Sequence, residues 1–237
     1  MTNIAPHPAK STLQVGFFSA ILMALMTIIT FGFAITAIPI SGANCMENCI
    51  EYPYLNTLGQ FPKDFQWMIL AIVMMLVYLV FMVSIQSYAA PEKKIFGQIG
   101  LAFAVITTML LVADYFIQFS VVPVSLMNGE TEGLPLIIQY NSHGPFIVVE
   151  ELGYILMSLS FVFAAFVFET KSRLEGAIRW IFIAGFGLTM VALGIVSAQL
   201  GLERQDRFEV IVISITWLVL IVNGILCGIL FKKRMKA

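Results

Sequence analysis

The chain has 237 residues with 13 basic and 14 acidic side chains, a net charge of −1, 11% charged residues and 59% hydrophobic residues. A soluble domain carries roughly 25% charged residues, and this chain lacks the polar surface to cover its apolar side chains in water. The composition therefore excludes a soluble globular enzyme, a disordered chain and a disulfide-dense secreted module. The near-zero charge excludes a nucleic-acid binder.

A membrane-spanning helix needs about 20 mostly apolar residues. Six runs meet that length: 15–40, 65–88, 95–122, 146–168, 178–200 and 209–231. They predict an all-α integral membrane protein, one domain over 1–237 built as a six transmembrane helix bundle, with long loops at 41–64 and 123–145. The first run is longer than the apolar core of a signal peptide and is read as a retained helix. It carries small residues at helical spacing: Gly16, Ala20, Thr27, Thr30, Ala34 and Ala37, with Met23 among them. Small residues let helices approach closely in lipid. The loop that follows holds Cys45 and Cys49. On a helical turn their Cα atoms fall about 6 Å apart, which predicts a disulfide.

The second run is bulky, with Met68, Met74, Met75 and Met82, and is expected to face lipid over much of its circumference. The third repeats Gly97, Gly100, Ala104, Thr107 and Leu111 and ends in Asp114 and Gln118, one turn apart on the same face. Asp114 lies roughly 12 Å below the end of its run at 1.5 Å per residue. The second long loop contains the apolar stretch 134–140 and then Asn141, Ser142, His143, Gly144 and Pro145. Pro145 suits a first helical turn. The fourth run opens with Glu150 and Glu151 and continues with Tyr154, one turn from Glu150. The fifth has a stripe of Ala184, Gly187, Val191, Gly194, Ala198 and Gly201, which is expected to pack against other helices. In the sixth, Gly224 and Gly228 stand at GxxxG spacing beside Asn223 and Cys227.

Basic residues mark the cytoplasmic side. Ten of them fall in the N-terminal tail, the two short connections and the C-terminal tail, against three (Lys63, Arg204 and Arg207) on the other side. Both termini are thus expected in the cytoplasm of a multi-pass plasma (cell) membrane protein, with both long loops outside.

Ionisable groups inside a membrane are costly and default to functional hypotheses. Asp114, Gln118, Glu150, Glu151, Asn141 and Tyr154 fall in the same outer half of the bilayer, with Gln199 and Glu209 flanking the fifth connection at similar height. They predict an outward-facing acidic pocket for a small molecule or cation, with transport and proton coupling as its use. Asp114 is the expected protonatable group, and the outer loops its lid. A second reading is a non-catalytic membrane subunit or assembly factor, forming homo- or hetero-oligomers through small-residue helix faces. A third is a membrane-embedded metal-dependent enzyme acting on an apolar substrate, in which His143, Asp114 and Glu151 hold a divalent metal with one position open. Lysines confined to loops and tails exclude a mid-membrane Schiff base. His7 and His143 lie on opposite sides and exclude a bis-histidine haem. No phosphate-binding loop, dinucleotide-binding glycine pattern, potassium filter or arginine-repeat voltage sensor is present.

Overall fold

The computed structural model describes residues 9–37, 40–170 and 172–236; His7 and Lys171, both used in the arguments above, lie outside them. In chain order the helices are α1 (Lys10–Ala34), α2 (Gln66–Tyr88), α3 (Lys94–Ser120), α4 (Val122–Asn128), α5 (Leu134–Ile137), α6 (Pro145–Ala165), α7 (Arg173–Leu200) and α8 (Gln205–Lys236). Six of them are long and apolar enough to cross a membrane: α1, α2, α3, α6, α7 and α8. The described residues contain no strand. The chain is a multi-pass membrane protein with an all-helical, six-span bundle.

The spans follow the hydropathy runs, with shifts at their ends. α1 stops at Ala34 rather than at 40, because the Thr36 hydroxyl and N–H both turn back onto the Phe33 carbonyl, at 2.7 and 3.1 Å. α6 begins at Pro145, where a missing N–H leaves nothing unsatisfied. α8 is longer than its apolar run at both ends, since polar residues continue a helix readily once it leaves the hydrocarbon.

The spans close into a ring: α1 beside α2, then α3, α6, α7, α8 and back to α1. α6 also leans inward to touch α8 and α2. The two long connections and the α7–α8 link share one end of the bundle, called here the long-loop end. Small residues set the closest approaches. A Cβ at Gly224 of α8 would lie 2.8 Å from the Ala20 carbonyl of α1. One at Gly100 of α3 would lie 3.2 Å from the Ser160 carbonyl and the Ala164 amide of α6. Every member of the α3 stripe from Gly97 to Gln118 is buried.

Two expectations are corrected. α2 does not turn its methionines to lipid: Met68, Met74, Met75 and Met82 are all buried to within 1%, together with Tyr78 and Phe81. Flexible thioethers fill the irregular space between α1, α3 and α6. On α7, all six stripe residues from Ala184 to Gly201 are exposed, and nothing lies within 4 Å of a Cβ at Gly187 or Gly194. The buried face of α7 is the one carrying Phe182, Gly185, Thr189 and Val196. Phe182 wins the interior because its ring meets Phe161 at 5.2 Å and Phe168 at 6.2 Å. An aromatic side chain buries far more apolar area than a glycine stripe offers.

The short-loop end is clasped by one carboxylate. Buried Glu175 accepts from Arg234 at 2.8 Å, from the Tyr88 hydroxyl at 3.0 Å and from the Glu169 amide at 2.9 Å. These bonds tie α7 to the ends of α8 and α2. Glu169 in turn pairs with Lys93 at 2.8 Å.

Candidate functional site

A cavity of about 460 Å³ opens at the long-loop end between α1, α2, α6 and α8. Five aromatic side chains line it, Phe31, Trp67, Tyr140, Phe146 and Trp217, among aliphatic ones such as Ile40, Ile147 and Ile213. Three carboxylic side chains face it, Asp64 from the start of the second span and Asp206 and Glu209 from α8, and its lining includes no lysine, arginine or histidine. Glu209, Ile213 and Trp217 are spaced by four and so form one ridge of α8 along the cavity wall, reaching roughly 12 Å from Glu209 to Trp217.

The first long loop is held over this cavity by Asp206, whose Oδ2 accepts the Ala43 N–H at 2.6 Å. Gly42 makes the approach possible. Its φ is +68°, and a Cβ there would lie 2.5 Å from the same Oδ2. The loop also carries the Cys45–Cys49 disulfide, with Cα atoms 5.9 Å apart, as the spacing predicts. On the second loop, the Tyr140 hydroxyl donates to Asp64 Oδ2 at 3.3 Å. Burial, reinforced by the Asp64 carboxylate, pushes the Tyr140 phenol above its ordinary range, so it stays a donor.

Behind the cavity wall runs a buried polar chain. Glu150 of α6, fully buried, lies against Glu209. Glu150 Oε1 accepts the Tyr115 hydroxyl at 2.5 Å. Tyr115 and Tyr154 hydroxyls are 2.8 Å apart, and Trp217 Nε1 donates to the Tyr154 hydroxyl at 3.1 Å. Trp67 packs edge-on against Tyr115 at 5.3 Å between ring centres. The chain thus starts at a cavity carboxyl and returns to a cavity indole through two tyrosines. Two buried oxygens within this region have no hydrogen-bond donor among the described residues, Glu150 Oε2 and Asp114 Oδ2.

The six residues expected to bind ligand fall into two groups. Asp114, Glu150 and Tyr154 are brought together around Tyr115, behind the cavity rather than in it. The other three are engaged elsewhere. Gln118 clamps the second loop, donating to the Ile137 carbonyl at 2.5 Å and accepting the Gln139 N–H at 2.9 Å. Asn141 closes a turn of the same loop through the Pro135 carbonyl and the His143 N–H, at 2.9 and 3.0 Å. Glu151 is held by both its oxygens on Arg204, at 2.9 and 2.8 Å. None of the six lines the cavity. The metal set is not assembled either: His143, Asp114 and Glu151 do not form a group, and no cluster of three histidine, cysteine or acidic side chains able to hold a metal occurs among the described residues. The helix positions explain this, since Glu151 turns toward Arg204 of the α7–α8 link while Asp114 lies on the side of Glu150.

The cavity residues missed by sequence reasoning are Asp64, Trp67, Tyr140, Asp206 and Trp217. The available signal was the spacing of Asp206, Glu209, Ile213 and Trp217 on one helical face.

Arg204 is the cation that neutralises the mouth of α6. Glu151 is only 5% exposed, so removing its partner leaves a carboxylate without compensation. Arg204→Met is expected to lower stability by about 3 kcal/mol, read as a fall in thermal unfolding temperature in detergent. The double change Arg204→Met with Glu151→Gln is expected to recover most of it. Equal losses in single and double variants would show that the ion pair is not what matters there.

Compared with known proteins, the chain matches no family model, no curated protein and no solved structure.

Proposed function

We propose that this membrane protein binds a small organic cation in the cavity at its long-loop end, as the binding step of transport. The observation that supports this reading is the cavity lining itself: five aromatic side chains, three carboxyl groups and no basic side chain. A cation over an aromatic face gains from the ring quadrupole, and more so when both are shielded from water. A carboxylate beside that face adds a direct ion pair. An inorganic ion would leave the aromatic walls unused, and an anion would meet three carboxyls. A ligand with a positive head and a flat apolar body uses both parts of the site. In this reading Glu209 meets the head, and Trp67 and Trp217 the body.

The test uses 1-benzylpyridinium, a cation whose pyridinium ring quenches indole fluorescence. The chain has three tryptophans. With Trp180→Phe, only the two in the cavity wall remain. In lipid nanodiscs, quenching is expected to saturate, and benzylsulfonate, an anion of similar shape, is expected not to compete. Quenching that rises without saturation, as in free lipid, would overturn the reading.

A second reading, assembly with another copy of the chain, is favoured by one observation: the small-residue face of α7 has no neighbour within the described residues. Such a face is suited to close helix contact in lipid.

A further inference from the structure

Glu209 belongs at once to the cavity wall and to the buried chain behind it. Its carboxyl meets that of Glu150, which is fully buried on α6. Glu150 Oε1 is satisfied by the Tyr115 hydroxyl, while Oε2 has no donor among the described residues. A fully buried oxygen without a donor, beside a second carboxyl, is the arrangement that one shared proton completes. Glu209 is half-buried on the cavity side, and two carboxyl groups in contact do not both ionise readily.

Among the described residues no lysine, arginine or histidine lines the cavity beside the pair; Lys63 stands next to Asp64, and Arg207 of α8 is exposed. From α3, Asp114 and Tyr115 face Glu150. From α8, Asp206 stands one turn from Glu209, and Asp64 faces the cavity from the start of the second span. On α6 itself, Tyr154 lies one turn deeper and Glu151 is already bound to Arg204. Arg204 is thus committed to Glu151, and the pair is left to be balanced by a proton or by whatever enters the cavity.

We propose that Glu150 and Glu209 hold one proton between them, and that an organic cation entering the cavity displaces it, making the protein a cation–proton exchanger at this site. The inference rests on the cation-binding reading above. The step balances. The O–H bond of the shared proton breaks, and the proton leaves through the cavity mouth to solvent. The positive charge of the ligand takes its place beside the Glu209 carboxylate, and the charge of the site is unchanged. Glu150 keeps the hydrogen bond from Tyr115 throughout and stabilises the ionised pair from behind. Tyr115 is in turn positioned by Tyr154 and Trp217, so a ligand that stacks on Trp217 also bears on the hydroxyl chain.

Calorimetry of 1-benzylpyridinium binding to the nanodisc protein tests this, run in phosphate and in Tris at one pH. The two buffers differ widely in ionisation heat, so the difference in binding enthalpy counts released protons. The expected count in the wild-type chain is close to one per cation bound. In Glu150→Gln the count is expected to fall toward zero while binding persists within about tenfold. Binding with no buffer dependence in the wild type overturns exchange but leaves cation binding standing. No binding in either buffer overturns the cation reading and exchange with it. A wild-type count near one that is unchanged in Glu150→Gln overturns the assignment to this pair. Should Glu150→Gln not fold, Tyr115→Phe serves instead, where loss of the hydrogen bond to Oε1 is expected to shift the pH at which the proton is released. An unshifted release pH in Tyr115→Phe overturns the assignment.

Discussion

Glu209→Gln is expected to weaken 1-benzylpyridinium binding about 100-fold, the largest effect of any single change in the cavity. Removing one partner of a desolvated charge pair costs about 2–5 kcal/mol, and 100-fold is about 2.7 kcal/mol. The amide keeps the shape and can donate to Glu150, so folding should be preserved, as a normal unfolding temperature would show. Asp64→Asn should act far less. Asp64 already accepts from Tyr140, and the asparagine oxygen keeps that bond. Asp206→Asn should also act less, because Asp206 is committed to the Ala43 amide. Equal losses at all three positions would mean that the cavity responds to total charge rather than to Glu209.

Gly224→Leu is expected to be the change most damaging to the fold. A Cβ at 224 would lie 2.8 Å from the Ala20 carbonyl and 3.0 Å from Ala24 Cβ, so helix backbone, not a side-chain tip, must move. Overpacking usually costs about 1–3 kcal/mol, and a rigid backbone obstacle places this change at or beyond the upper end. α1 and α8 would separate, and the cavity wall between Phe31 and Trp217, whose rings meet at 5.5 Å, would open with them. Gly228→Ala is the control. Its added methyl meets the end of the Ile21 side chain, which can rotate away, so the loss should stay below about 1 kcal/mol. Unfolding in detergent with circular dichroism reads both. A stable, ligand-binding Gly224→Leu would show that the α1–α8 contact is not set by glycine.

The spans were legible because lipid imposes one length and one polarity on every crossing segment. The α3 stripe was legible too, since Asp114 and Gln118 could not face hydrocarbon and so marked the buried side. What hydropathy does not carry is which helix neighbours which. α2 and α7 show the consequence. Met68 to Met82 look lipid-facing when α2 is taken alone, yet α2 sits between α1 and α3 with α6 behind it. The α7 stripe looks like an interface, yet the ring closes on its Phe182 face.

The candidate site shows the same division. Glu150 and Asp114 were found by their cost in a membrane and Tyr154 by sharing a helix face with Glu150, and the three lie in one region. The residues that complete the site were not found, because their meeting depends on ring order. Tyr115 joins Glu150 only because α3 packs on α6, and Trp217 joins Tyr154 only because α6 leans on α8. Arg204 was counted for orientation, and its pairing with Glu151 depends on the fold of a short link between α7 and α8. Asp64 and Tyr140 meet across two loops separated by a whole helical hairpin.

A cavity of this lining is expected to select positive charge on an aromatic body. The direct measurement repeats the quenching titration with 4-benzylpyridine as competitor, at a pH where it is neutral. It has the same two rings as 1-benzylpyridinium and lacks the fixed charge. The neutral compound is expected to compete at least tenfold more weakly, the difference expected of a desolvated cation beside aromatic rings and a carboxylate. Equal competition by the two compounds would contradict it, and would reduce the cavity to an apolar cleft indifferent to charge.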